Sequence, residues 1–253
     1  MRLFNGDCLN ELQHLPDASI DLIIADPPYG ITNCEWDKVI PLEPLWKELH
    51  RVAKDSAAIV IFGIEPFSSH LRVSNLDYYR YDLIYEKPSA TGFLNANRQP
   101  MRAHENISVF YRKQPTYNPQ KTSGHIRKVC SRNSANSNLY GKAEKAVKYD
   151  STERYPRSIL VFSSDKQTNA LHPTQKPIEL LQYLIKTFSN PGDTVLDFTM
   201  GSGSTGAAAL MLDRDFIGIE QDHHFFKTAE KWLNSICHFE LVLIKYEMKT
   251  ASI

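Results

Sequence analysis

Apolar positions along the chain form short runs of strand length that alternate with stretches of helical spacing. Ile20–Ala25 is apolar except for Asp21 and predicts a buried strand ending at Asp26, where Pro27 and Pro28 stop regular pairing. Leu42, Leu45, Trp46, Leu49 and Val52 share one helical face and predict a helix over residues 41–54. Residues 57–62 predict a second buried strand, 65–73 a helix, and 79–86 and 107–111 two more strands. Further on, residues 177–188 predict a helix with proline in its first turn, 194–198 a strand, 204–211 a helix of small residues, and 216–220 a strand. Asp222 predicts the cap of a helix running through Trp232. Such alternation predicts an α/β sheet, and 253 residues suffice for one substantial core.

The pattern lapses over residues 112–157, where Asn, Ser, Lys and Arg accumulate and no period is sustained. This predicts an irregular insertion, with residues 1–111 and 158–253 forming the main domain. The chain as a whole balances 29 Lys and Arg against 29 Asp and Glu. The balance conceals a local asymmetry, because only Glu144, Asp150 and Glu153 oppose the many basic residues of the insertion. Lys121, Arg127, Lys128, Arg132, Lys142 and Lys145 are its candidate contacts to phosphates and base edges, and a solvated loop would show the same composition.

The remaining composition narrows the class. A 42% hydrophobic and 23% charged chain is ordinary for a globular protein. No apolar run reaches the length of a bilayer span, and the first residues lack the apolar core of a signal peptide. Cys8, Cys34, Cys130 and Cys237 are scattered, which predicts neither disulfides nor a zinc site and fits a reducing, cytoplasmic setting. His223 and His224 are adjacent on a predicted helix and point to different faces, so no metal site is expected there.

Two segments carry candidate chemistry. Gly201, Gly203 and Gly206 lie between a predicted strand and a predicted helix, and the next strand ends in an acid, Glu220. That context suits close approach of a ligand to the backbone, with the carboxylate accepting from ribose hydroxyls. A tight turn with a strand-end acid would leave the same trace. The missing lysine after the glycines disfavours a nucleoside triphosphate.

The second segment, Asp26-Pro27-Pro28-Tyr29, sits at the carboxyl edge of a predicted strand, where open α/β sheets bind ligands. The prolines fix φ and remove N–H donors, leaving a stiff array of acceptors. A carboxylate and a backbone carbonyl at Pro27 match the two hydrogens of an exocyclic amine, and Tyr29 offers a ring on which an extruded base can stack. A proline-stiffened turn with an exposed tyrosine is the plain alternative.

Taken in order, these motifs resemble the DNA amino-methyltransferases acting on adenine N6 or cytosine N4, in the permuted arrangement called the β class. In that class the catalytic motif comes first, a target-recognition region follows, and the cofactor motif lies near the C-terminus. The resemblance covers nearly the whole chain outside residues 112–157. It implies a Rossmann-like methyltransferase sheet with helices on both faces, circularly permuted, with residues 112–157 as a target-recognition insertion. It implies S-adenosylmethionine as cofactor and double-stranded DNA as partner, and so a nucleoid-associated protein; a homodimer and a restriction endonuclease counterpart stay open. Asp26, Pro27, Pro28 and Tyr29 would form the amine site. Asp7 and Cys8 would border the cofactor adenine, Glu220 and Gln221 its ribose, and Asp197, Phe198, Gly201, Gly203, Ser204 and Thr205 its methionine part. His172, Thr174 and Lys176, within His172-Pro173-Thr174-Gln175-Lys176-Pro177, would line its other side. Gly6-Asp7 read by itself fits a helix cap equally well.

One departure stands out: the family's glycine motif commonly has proline after its aspartate, and Phe198 follows Asp197 here. Aspartate opening the catalytic motif implies adenine rather than cytosine, with cytosine N4 as the alternative. No Pro-Cys pair is present for the cytosine C5 route. A non-catalytic nucleic-acid-binding module on a degenerate fold is the reading from another class, and it would be expected to lack the acid, the aromatic or the glycines.

Overall fold

The computed structural model describes residues 1–32, 34, 37–132, 147–163 and 175–250, the side chains of 132, 147 and 238–250 excepted. In chain order the elements are β1 (Arg2–Asn5), α1 (Cys8–Leu12), β2 (Ile20–Ala25), α2 (Leu42–Val52), β3 (Ala53–Gly63), α3 (Phe67–Val73), β4 (Tyr79–Thr91) and β5 (Arg102–Phe110). They continue with β6 (Lys128–Arg132), β7 (Val147–Ser151), β8 (Ile159–Val161), α4 (Ile178–Phe188), β9 (Thr194–Asp197), α5 (Ser204–Leu210), β10 (Asp215–Glu220) and α6 (His223–Thr250).

Eight strands form one sheet in the order β1-β10-β9-β2-β3-β5-β4-β8. Within it β5 alone runs against its neighbours; the other pairings are parallel. Side chains alternate between two cores, as the period-two geometry of a strand requires. On β2, Leu22 and Ile24 face the core that holds α4, α5 and α6, while Ile23 and Ala25 face the core that holds α1, α2 and α3; Ile20 joins the latter because the register shifts between it and Leu22. On β3, Val60 and Phe62 divide from Ile59 and Ile61 in the same way. Burial on both faces explains why these strands read as near-continuous apolar runs.

The two halves of the sheet meet where β2 pairs with β9, Leu22 opposite Val195 and Ile23 opposite Leu196. The helix after β2 packs on one face and the helix after β9 on the other. Connections that leave adjacent parallel strands in opposite directions open a crevice at their carboxyl ends, the preferred ligand position of doubly wound sheets.

The chain divides into two compact units, Met1–Asn118 with Ser158–Ile253, and Pro119–Arg157. The second unit begins at Pro119 and not at residue 112. Arg112 and Lys113 instead pair with Asp55 of the first unit at 3.5 and 2.7 Å. Nor is the second unit wholly irregular: β6 and β7 form an antiparallel pair, Lys128 opposite Ser151. Hydrophobic period reports burial, and a two-stranded ribbon with Val129 69% exposed has no buried face to report. The helix expected to stop at Trp232 runs to Thr250, since no glycine or proline interrupts it. Strands β3, β4 and β5 extend beyond their apolar runs into polar residues. Among the described residues no helix is long and apolar enough to cross a membrane.

Candidate active site

The segment that leaves β2 is held from within. Tyr29 and Gly30 donate their backbone N–H groups to Asp37 Oδ1 at 2.8 Å each, and Ile31 and Thr32 donate theirs to Oδ2 at 2.9 and 2.7 Å. Asp37 is buried, which alone would push its carboxyl up, but the Thr32 hydroxyl and these backbone donors outweigh burial and hold it below the usual range. Gly30 has φ +69°, a conformation open to glycine and strained for most residues.

The staple fixes Asp26 and Tyr29 relative to each other. The Tyr29 hydroxyl donates to Asp26 Oδ1, and its ring packs on Phe67 with centroids 5.3 Å apart. Burial first, and then Asp26 beside it, raise the Tyr29 phenol well above its ordinary value, so it acts as a proton-bearing donor. Asp26 Oδ2 accepts from Lys176 Nζ, which also lies 3.1 Å from Glu105 Oε2 and 5.1 Å over the Phe62 ring. Burial pulls the Lys176 ammonium down, yet Asp26 and Glu105 together hold it above the usual lysine value. Glu105 shows the converse: burial raises it, and Lys176 and Lys87 bring it below its ordinary value. Lys87 Nζ is 3.7 Å from Glu105 Oε1. A line of alternating charges thus runs from Asp26 through Lys176 and Glu105 to Lys87, with the neutral Tyr29 hydroxyl at its start.

At the end of β9, Asp197 accepts from Thr199 N–H at 3.0 Å and from the Thr205 hydroxyl. Glu220 Oε2 accepts from Gly201 N–H at 2.9 Å, and Oε1 from Asp222 N–H at 2.7 Å. The Gln221 N–H bonds this carboxylate as well, and a carboxylate's four acceptor positions still leave room for a hydroxyl donor. Gly201 and Gly203 have φ +54° and +90°. Asp7 caps α1 through Oδ1, which accepts from Leu9 and Asn10, leaving Oδ2 as an acceptor at the mouth.

Both turns open on one cavity of about 1300 Å³ within the first unit. Asp7, Cys8, Asp26, Pro27, Pro28, Tyr29, Lys176, Asp197, Phe198, Gly201, Ser204, Thr205, Glu220 and Gln221 line it, all of them candidates from the sequence. Gly203 does not: a Cβ there would meet Ala229 at 3.1 Å and Leu233 at 3.2 Å, so its place is to let α5 approach α6. Phe198 is buried among the residues packed on α1–α3. Burial pushes the Cys8 thiol up to about 12, which makes it a poor nucleophile. His172, Thr174, Lys142 and Lys145 lie outside the described residues, as does the side chain of Arg132. In the second unit Arg127 is bonded to Asp150 at 2.6 and 2.7 Å and Lys121 to Glu153 at 2.9 Å, while Lys128 opens β6.

Asp37, Glu105, Lys87 and Arg102 also line the cavity and escaped the reading of the sequence. For Glu105 a signal exists. It shares a strand face with Ile107 and Val109, both wholly buried, and a carboxylate in register with a buried face needs a cation.

Burial pushes the Asp197 carboxyl up to about 7 from 3.8. The folded protein therefore holds this proton more tightly than the unfolded chain, and the stability it contributes is full at low pH and lost as pH rises through about 7. Asp197→Asn is expected to gain melting temperature relative to the parent as pH rises across that interval. A constant difference from pH 4 to 8, in thermal melts at about half-unit steps, would remove Asp197 as the cause.

Known proteins are similar to this chain in sequence and in fold. A family model described as DNA methylase matches residues 20–231. Type II methyltransferase M.HinfI of Haemophilus influenzae is 30% identical, over 92% of this chain and 68% of that protein. DNA adenine methyltransferase YhdJ of Escherichia coli (strain K12) is 29% identical, over 96% of this chain and 87% of its own length. Among solved structures, the M1.HpyAVI–SAM complex superposes with a TM-score of 0.64 at 25% identity, over 92% of this chain and 99% of that one. The cytosine-N4-specific PvuII DNA methyltransferase superposes with a TM-score of 0.66 at 17% identity, over 92% and 90% of the two chains, a likeness of fold.

Proposed function

The chain belongs to the DNA methylase family, and from that premise we propose that it transfers a methyl group from S-adenosylmethionine to the exocyclic N6 of an adenine extruded from double-stranded DNA. One observation carries the reading: the Asp26–Tyr29 turn and the Asp197–Thr205 turn end adjacent strands and open on one cavity large enough for a nucleoside and a base.

The residues fit the cofactor. Asp7 Oδ2 and the outward lone pairs of Glu220 suit amine and hydroxyl donors, and Thr199 Oγ1 is buried in the wall without a hydrogen-bond partner among the described residues. Asp197 and the Gly201–Thr205 backbone would hold the amino-acid end. When bound, S-adenosylmethionine supplies an electrophilic methyl group, so no covalent enzyme intermediate is needed.

The chain's own groups do the positioning. Asp26 and the Pro27 carbonyl accept the two amine hydrogens and aim the nitrogen lone pair. Lys176, itself held between Asp26 and Glu105, keeps the Asp26 carboxylate oriented. Tyr29, tied to Asp26 and backed by Phe67, offers its ring to the base. The second unit, with its Lys and Arg, is the region for reading sequence and meeting phosphates.

Adenine is favoured by Asp26 at the head of the motif and by the similarity to the DNA adenine methyltransferase YhdJ. The test is incubation of unmethylated genomic DNA with isotopically labelled S-adenosylmethionine, followed by mass analysis of the nucleosides. Label in N6-methyladenine is expected. Label in N4-methylcytosine would move the assignment to the other base, and no label in DNA would sink the reading.

A further inference from the structure

The hairpin between β4 and β5 ends in an apolar tip that neither core uses. Thr91 and Arg102 pair across the hairpin and both line the cavity, so residues 92–101 form the turn beyond its rim. Phe93 and Leu94 open a short 3-10 turn there, 78% and 98% exposed. Gly92, at φ +93° with open space where a Cβ would stand, sets the direction in which they leave the strand. Large apolar side chains exposed together beside a binding cavity mark a contact surface.

The surroundings specify the partner. From Lys87 to His104 the chain contains Lys87, Arg98 and Arg102 and no Asp or Glu. Asn95, Asn97, Arg98 and Gln99 are exposed around the apolar pair. Basic and amide side chains ringing an apolar point suit a polyanion with a hydrophobic interior, which describes a nucleic-acid duplex.

Resting on the reading that the cavity receives an extruded base, we propose that the Phe93–Leu94 tip enters the duplex beside the cavity and fills the gap which that base leaves in the stack, with Arg98 meeting a flanking phosphate. Extrusion costs unstacking and unpairing, and an apolar wedge between base steps offsets part of that cost. Phe93 supplies a ring face that any base can stack on, so the wedge would act whatever the recognition sequence.

The test uses the full chain and two oligonucleotide duplexes carrying a site first mapped by sequencing genomic DNA that the wild type has modified. In one duplex the target base is normally paired. In the other it faces an abasic position, so extrusion is already easy. Phe93→Ala combined with Leu94→Ala should slow single-turnover methylation of the paired duplex by about 10- to 100-fold and that of the abasic duplex by less than about threefold. Unchanged rates on the paired duplex overturn the proposal. So does an equal loss on both, which would mean a general contact with DNA that does not depend on extrusion. A wild type that methylates neither DNA defeats the reading of the cavity first, whereas a failure confined to the variant leaves that reading standing.

Discussion

Asp26→Ala is expected to fold and to bind S-adenosylmethionine, and to transfer methyl groups about 100- to 1000-fold more slowly than the wild type. On the proposed reading the carboxylate accepts one amine hydrogen, and its neighbours replace it poorly: the Tyr29 hydroxyl is a neutral and so weaker acceptor, and Lys176 has only donors. Stability should fall less than activity, because Lys176 keeps Glu105 at 3.1 Å and its ammonium stays paired. Single-turnover rates with labelled cofactor, beside a cofactor titration and a thermal melt, separate the two effects. A rate within about tenfold of wild type, with cofactor affinity intact, would remove Asp26 from the amine site.

Lys176→Met should be the most destabilising single change at the cavity, by about 3–5 kcal/mol at neutral pH. It leaves Asp26 and Glu105 facing one another in a buried place with no cation between them. Methionine loses the ammonium that lies over the Phe62 ring but is of similar length and packs well on aromatic rings, so the loss reports charge more than volume. Adding Glu105→Gln removes one of the two carboxylates and should recover a large part of the loss, a coupling that a double-mutant cycle measures directly.

The pH dependence carries the sign. In the wild type Glu105 is held below its ordinary value, so its contribution is present above the unfolded value of 4.5 and is lost as pH falls through the lower folded value. In Lys176→Met the carboxylates lose the ammonium that holds Glu105 down, so acid should narrow the gap between variant and wild type. Urea melts of the two single variants and the double at pH 5 and pH 8 decide it. Additive losses at both values would mean that the charges do not couple.

Much of this molecule is legible in its amino-acid order, and the legible part has a common cause. Where an element is buried on a defined face, burial imposes a period: β2, β3 and β9 read as apolar runs, and α2 and α4 show a helical stripe. Where a turn demands unusual backbone, it demands residues that announce themselves, as Pro27 and Pro28 do before Asp37's staple and Gly201 does at φ +54°. The hairpin of the second unit left no such trace, because backbone pairing without a buried face leaves side-chain types free.

The sequence by itself therefore determined the α/β class, the strand ends at Asp26 and Asp197, and the kind of chemistry those turns could support. The tertiary structure alone decided that these strands are neighbours, that Lys176 stands between Asp26 and Glu105, that Asp37 pins the turn after Asp26, and that Gly203 serves packing. The reason is physical. Periodicity and turn chemistry are set by a few adjacent residues, whereas strand order and buried charge pairing are set by contacts between segments far apart in the chain. A charge such as Glu105 reveals its partner only once the sheet has brought that partner to it.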